Sequence, residues 1–358
     1  MLFNDLTHAP IQSKVRALIE RNIEHGKLYK DQTMLRQQYL AQHATALFVY
    51  KCMDGRIHLP VITKTPFGIM QPFRSLGGKF NLGWPFLSDY VKNLVYKRVN
   101  EGRNCLFVVT YHFSKGSKER CCAGFDHNTE AAYASTLVFK AQIDDIFGKR
   151  NSVVYPIIVG LETDGDGLIF HNNGDTINLY DHLETPADNL FELFRNLYAD
   201  MPATILNDLM PLVFGNIEHI KEIKTSNREV IDMEHKEWVI GLGKGFDWLH
   251  APNTALIVGP WSPEWHSEDL YKAFSIVKNN IDNGKISDDG FILLTSSIWE
   301  ESPEDGFAIQ KVKFFSDTAM KLAREKFPEI VPKIHLLPVI VNDKTKVFED
   351  ISRYVNLN

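Results

Sequence analysis

Three short apolar runs rich in β-formers, Ala46-Leu47-Phe48-Val49-Tyr50-Lys51, Cys105-Leu106-Phe107-Val108-Val109-Thr110-Tyr111 and Val153-Val154-Tyr155-Pro156-Ile157-Ile158-Val159, alternate with stretches of helical spacing at 88–100 and 127–147. Runs this short and this rich in branched and aromatic residues read as buried strands rather than helices. Strands that alternate with helices imply a mainly parallel sheet covered by helices, so the expected class is α/β. In such sheets, sites form beyond the carboxyl ends of the strands, where the strand order reverses. The first run ends at Cys52, the second at His112, and the third leads into Gly160.

The flanks complete the plan. Ile11, Val15, Leu18, Ile19 and Ile23 recur at helical spacing, and Gly26 is placed to end that helix. Asp31 is placed to cap a second helix through Met34, Leu35, Tyr39 and Leu40, so residues 1–43 read as a helical lead-in. Residues 186–235 read as helical, after which strand candidates return at 238–242, 255–258, 291–295 and 335–341. Laid over the first half, 291–302 parallels 106–117 and 238–246 parallels 48–56, which puts Leu242 in the place of Cys52 and Ser297 in that of His112. The reading is a zinc-bearing, mainly parallel sheet domain at 44–235 followed by a degenerate copy at 236–358 that keeps the scaffold and loses the metal ligands.

Composition narrows the function classes. At 358 residues the chain exceeds the ~100–200 residues of one domain. With 44% hydrophobic and 23% charged residues it is neither disordered nor fibrous. Thirty-nine basic against 45 acidic residues give a net charge of -6, which argues against a nucleic-acid partner and favours a small or neutral substrate. A stretch of about 18 apolar residues is lacking, so no membrane is expected. The four cysteines, Cys52, Cys105, Cys121 and Cys122, are too sparse for a disulfide scaffold, and the N-terminus lacks signal-peptide character; a reduced, cytoplasmic setting is expected.

The chemistry concentrates in Cys52-Met53-Asp54-Gly55-Arg56, His112 and the pair Cys121-Cys122. Two thiolates and an imidazole suit zinc, with the fourth tetrahedral position left for water. A lone Asp54 beside a metal would close that position. Arg56 is expected to hold it off in a bidentate fork, leaving Asp54 to orient a nucleophilic water. Other features read as structural: Cys105 as a buried thiol, His127 as a helix start, Asp164-Gly165-Asp166-Gly167 as a turn. Gly241-Leu242-Gly243-Lys244-Gly245 lacks the spacing of a phosphate loop and reads as the worn copy of the metal loop.

Cys-x-Asp-x-Arg followed by a distant His and Cys resembles the signature of the β-carbonic anhydrases. FRSLGGKFNLGWP at 73–85 resembles the Arg- and Gly-containing segment after that motif, and TYHFSKGSKERCCAGFDHNTEAA with VGLETDGDGLIFH resembles the carboxysome shell branch of the family. In that branch a degenerate second copy follows the catalytic domain. The resemblance spans roughly 44–350. It implies zinc on Cys52, His112 and either Cys121 or Cys122, with Cys122 preferred because Ala123-Gly124 follow it. It further implies Asp54 and Arg56 as catalytic residues, and Arg74, Gly77 and Gly78 around the substrate pocket. The implied activity is reversible hydration of carbon dioxide to bicarbonate. Hydrolysis of carbonyl sulfide or carbon disulfide at the same site, and a zinc-stabilised protein-binding scaffold, stand as rivals. Compact members have two residues between His and Cys; here eight precede Cys121 and nine precede Cys122. The long N-terminal segment of carboxysomal members is missing, which favours the cytoplasm over a carboxysome and leaves carboxysome components as partners by resemblance only. Homo-oligomer formation stays open, since a tandem copy can cover the surface that dimeric members bury.

Overall fold

The computed structural model describes residues 6–148, 153–226, 234–300 and 305–355. They form an α/β protein with two mostly parallel sheets. The helices are α1 (Ile11–Asp31), α2 (Thr33–Gln42), α3 (Leu59–Ile62), α4 (Pro85–Asn100), α5 (Thr129–Phe147), α6 (Ala187–Leu197), α7 (Ala203–Ser226), α8 (Leu270–Asp282) and α9 (Asp305–Lys326). None is long and apolar enough to cross a membrane. The chain divides into two compact units, one of Met34–Cys52 and Ile57–Met233, the other of Met1–Thr33, Met53–Arg56 and Glu234–Asn358.

The unit that contains Cys52 is built on β1 (Ala46–Cys52), β2 (Met70–Ser75), β3 (Cys105–Phe113), β4 (Val154–Glu162), β5 (Gly167–Asn172) and β6 (Asp175–Asn178), in the order β2-β1-β3-β4-β5-β6. The first four are parallel, and β5 and β6 return antiparallel. Every residue of β1 and β4 is buried, as continuous apolar runs in a sheet covered on both faces should be. Tyr50 stacks on Phe73 at 4.7 Å between ring centroids and meets Phe139 of α5 at 4.8 Å. Strand β2 is absent from the sequence reading because Pro72 and Arg74 break its apolar pattern. It forms at the sheet edge, where a residue without an N–H is tolerated. The helical expectation for 186–235 resolves into α6 and α7, and its 227–233 part lies outside the described residues.

The other unit carries β7 (Val239–Gly243), β8 (Ala255–Val258), β9 (Phe291–Trp299), β10 (Ile334–Asn342) and β11 (Phe348–Asp350), in the order β11-β10-β9-β7-β8. Read from β8, this is the sequence of positions 2-1-3-4-5 that β2, β1, β3, β4 and β5 also follow, with the last strand antiparallel in both. The ladders move the expected correspondence by one residue. Tyr50 pairs with Val109, so Cys52 falls beside Tyr111, whereas Leu242 pairs with Thr295. If the two sheets are laid strand on strand with Leu242 over Cys52 and the β1–β3 register is continued, Ser296, one residue before the expected Ser297, comes to the position of His112.

Two N-terminal expectations are corrected. Gly26 does not end α1, which runs on to Asp31, so Asp31 closes that helix instead of capping the next. A Cβ on Gly26 would stand 2.4 Å from Val347 Cγ2; the glycine serves close packing. The buried face is Lys14, Leu18, Asn22, His25 and Gly26, while Ile19 and Ile23 are exposed. Asn22 decides the rotation of the helix, since its side chain accepts from Phe348 N–H at 2.8 Å and donates to Lys346 O at 3.0 Å. Buried amide pairing of this kind outweighs a modest apolar stripe.

Candidate metal centre

Strand order reverses between β1 and β3, and Cys52 is the last residue of the one and His112 the last but one of the other. Cys122 arrives from the loop after β3 and opens the 3₁₀ turn Ala123–Phe125. All three are buried, and their ligand atoms lie within 4.8 Å of one another. The Cys52 and Cys122 sulfurs are 3.9 Å apart. His112 is 2% exposed, and neither ring nitrogen has a hydrogen-bond partner among the described residues. An unsatisfied buried polar atom costs about 1–3 kcal/mol, and a coordinated ion satisfies one of these nitrogens. The cluster can hold a metal ion.

The glycine-rich segment after β2 sets the spacing. Gly77 and Gly78 have φ of 70° and 68°, the left-handed region that glycine enters without steric cost. A Cβ on Gly78 would lie 3.2 Å from Thr110 O and 3.5 Å from Cys52 N. One on Gly124 would lie 2.7 Å from the Gly77 backbone, and one on Gly77 2.7 Å from the Phe125 ring. Missing side chains thus let the Cys122 turn close down on the segment packed against the end of β1. Arg74, buried on β2, donates to Cys52 O at 3.2 Å and Ile57 O at 2.8 Å, so it anchors the backbone at both ends of the Met53–Arg56 excursion.

The adjacent thiols differ. Cys122 faces Cys52, whereas Cys121 Sγ accepts from Ser114 N–H at 3.4 Å and lies 3.6 Å from Ser114 O. Cys105, fully buried, is pushed up to about 12 by burial and stays a thiol. His127 does not begin α5: it has φ 64°, and Asn128 caps the helix by accepting from Ala131 N–H. Its own N–H donates to Cys122 O at 3.0 Å.

Asp54 and Arg56 lie two and four positions after Cys52, in the segment that belongs to the other unit. There Gly55 N–H donates to Ala255 O at 3.0 Å and Ile257 N–H to Met53 O at 2.7 Å, so the segment runs beside β8. Arg56 Nε donates to both Asp54 oxygens at 3.1 Å, Nη2 to Oδ2 at 2.6 Å, and the Arg56 amide to Oδ1 at 2.9 Å. Both side chains are buried. Sequence reasoning passes over Ser114 and Glu162 and reads Asp164 only as part of a turn, although all three organise the loop before Cys122. No family model matches the chain, and no curated protein matches it.

Proposed function

We propose that the chain is a zinc enzyme of the β-carbonic anhydrase type that interconverts carbon dioxide and water with bicarbonate and a proton. The observation that carries this reading is the buried Cys52–His112–Cys122 cluster with both His112 nitrogens unpartnered among the described residues. The donor set suits zinc: two thiolates about 2.3 Å from a tetrahedral ion stand ~3.8 Å apart, against 3.9 Å between these sulfurs. Bound there, zinc supplies a Lewis acid that lowers the pKa of water from about 16 to ~7.

The chain supplies orientation and exclusion. Arg56 fixes the plane of the Asp54 carboxylate through three nitrogens and favours its ionised, acceptor-only form. The family resemblance gives such a group the task of accepting a hydrogen bond from the nucleophilic water, for which a purely structural zinc site has no use. Burial of Cys52, His112 and Cys122 keeps bulk water from the thiolates. Carbon dioxide is small, apolar and electrophilic, so attack on it needs little beyond an activated, oriented water in a dry site.

The shared strand order of the two sheets supports reading the second as a degenerate copy of the first. Leu242 with Ser296 then stands where a copy of the site would need Cys and His. Stopped-flow carbon dioxide hydration, with zinc measured on the same sample, tests the proposal. Turnover that follows zinc content is expected. Zinc-replete protein that leaves carbon dioxide untouched but hydrolyses carbonyl sulfide or carbon disulfide, or turns over none of them, would contradict it.

A further inference from the structure

Nine residues separate His112 from Cys122, so one ligand of the centre hangs from the loop after β3. Most of the bonds that gather that stretch converge on one carboxylate, with Glu162 adding a longer one from the Lys115 amide at 3.4 Å. Asp164, on the turn after β4, accepts from Ser114 Oγ at 2.9 and 2.8 Å, from Gly116 N–H at 2.7 Å and from Arg120 Nε at 3.2 Å. Ser114 Oγ in turn accepts from Ser117 N–H at 3.1 Å. A Cβ on Gly116 would lie 2.4 Å from Arg120 Nη2 and 3.1 Å from Asp164 Oδ2, so a side chain there would displace the guanidinium. Burial pushes the Asp164 carboxyl up, but the Gly116 amide, the Ser114 hydroxyl and Arg120 outweigh it and hold the group below the usual range.

Asp164 is itself held. Glu162, 3% exposed at the end of β4, accepts from the Asp164 and Gly165 amides at 2.9 and 3.1 Å and from Tyr180 OH at 3.0 Å. On the far side of Cys122, its carbonyl accepts from Phe125 and His127 amides at 3.1 and 3.0 Å. Cys122 is therefore held from both directions, by the loop that Asp164 gathers and by the turn whose amides bond its carbonyl.

We propose that Asp164 is a positioning residue for Cys122, ordering the 114–120 stretch so that the thiol stands opposite Cys52 and His112 before an ion binds. This rests on the metal reading of Cys52, His112 and Cys122, and not on which reaction the centre performs. Without Asp164 the cost of ordering the loop falls on metal binding, and apparent affinity drops. Loss of an outer partner of a metal ligand typically weakens binding about 10–100-fold.

The test uses the full chain, with zinc affinity measured by chelator competition and Co²⁺ substituted to read thiolate-to-metal charge-transfer bands. Asp164→Ala is expected to weaken zinc roughly 10–100-fold and to alter the cobalt spectrum. Asp164→Asn, equal in size, should fall between it and the wild type, and serves alone if the alanine variant does not fold. Asp166→Asn is the control, because the Asp166 carboxylate engages His219 at 3.0 Å and should leave zinc affinity unchanged. Wild-type affinity and spectrum in both Asp164 variants would overturn the inference alone, as would equal weakening by Asp166→Asn. A wild-type chain that binds no zinc would overturn the metal reading together with it.

Discussion

Cys121 and Cys122 are chain neighbours with opposite surroundings: one thiol is held by Ser114, the other stands 3.9 Å from the Cys52 sulfur. Cys122→Ala should therefore abolish stoichiometric zinc, while Cys121→Ala should retain it with a small loss of stability; metal analysis of the two purified variants decides, and the reverse pattern would move the ligand by one position. Asp54→Asn keeps the side chain's shape but adds a donor and removes the charge. It should retain zinc and lose carbon dioxide hydration by about 10²–10⁴-fold, as for a lost positioned acid–base or electrostatic group; hydration at the wild-type rate would show that Asp54 takes no part. The candidate ligands were legible in the sequence because Cys52 and His112 stand at strand ends that hydrophobic runs reveal. Asp164 was not, because its importance comes from a loop packing on it, which no local pattern encodes.

Elements with a uniform environment were the readable ones. β1, β3 and β4 are apolar runs buried on both faces, and the strand expectation for 255–258 coincides with β8. Elements defined by mixed contacts were not: β2 hides behind Pro72 and Arg74, and the buried face of α1 is set by Asn22, Lys14 and Gly26 more than by its isoleucines. Lys14 is buried with Nζ 5.7 Å from the Trp238 ring centroid, an arrangement in which the stem packs and the charge meets an aromatic face. Gly55 belongs to this class as well. A Cβ there would stand 2.4 Å from Ala255 O and 2.9 Å from Ala251 O, both backbone atoms that cannot swing aside. Gly55→Ala should destabilise by ~1–3 kcal/mol, the usual range for overpacking, as read from urea unfolding. Wild-type stability in that variant would mean that the Met53–Arg56 segment does not run beside β8.

Across the whole molecule, sequence order and compactness part company. Residues 1–33 and 53–56 belong with the C-terminal residues from 234 onward, a connectivity that a linear reading into 1–43, 44–235 and 236–358 does not contain. A fragment ending at 233 would leave α1 without Asp289, Trp238 and the β11 approach, and Met53–Arg56 without β8. It should aggregate or self-associate because apolar surface is exposed at about 25 cal/mol per Å²; a stable monomer by light scattering would contradict this. The central claim, one zinc held by two sulfurs and one imidazole, is tested most directly by zinc X-ray absorption on protein of known metal content. The account predicts one zinc per chain, with two sulfurs near ~2.3 Å and lighter N/O ligands near ~2.0–2.1 Å. Absence of stoichiometric metal, or a shell with any other sulfur count, would contradict it.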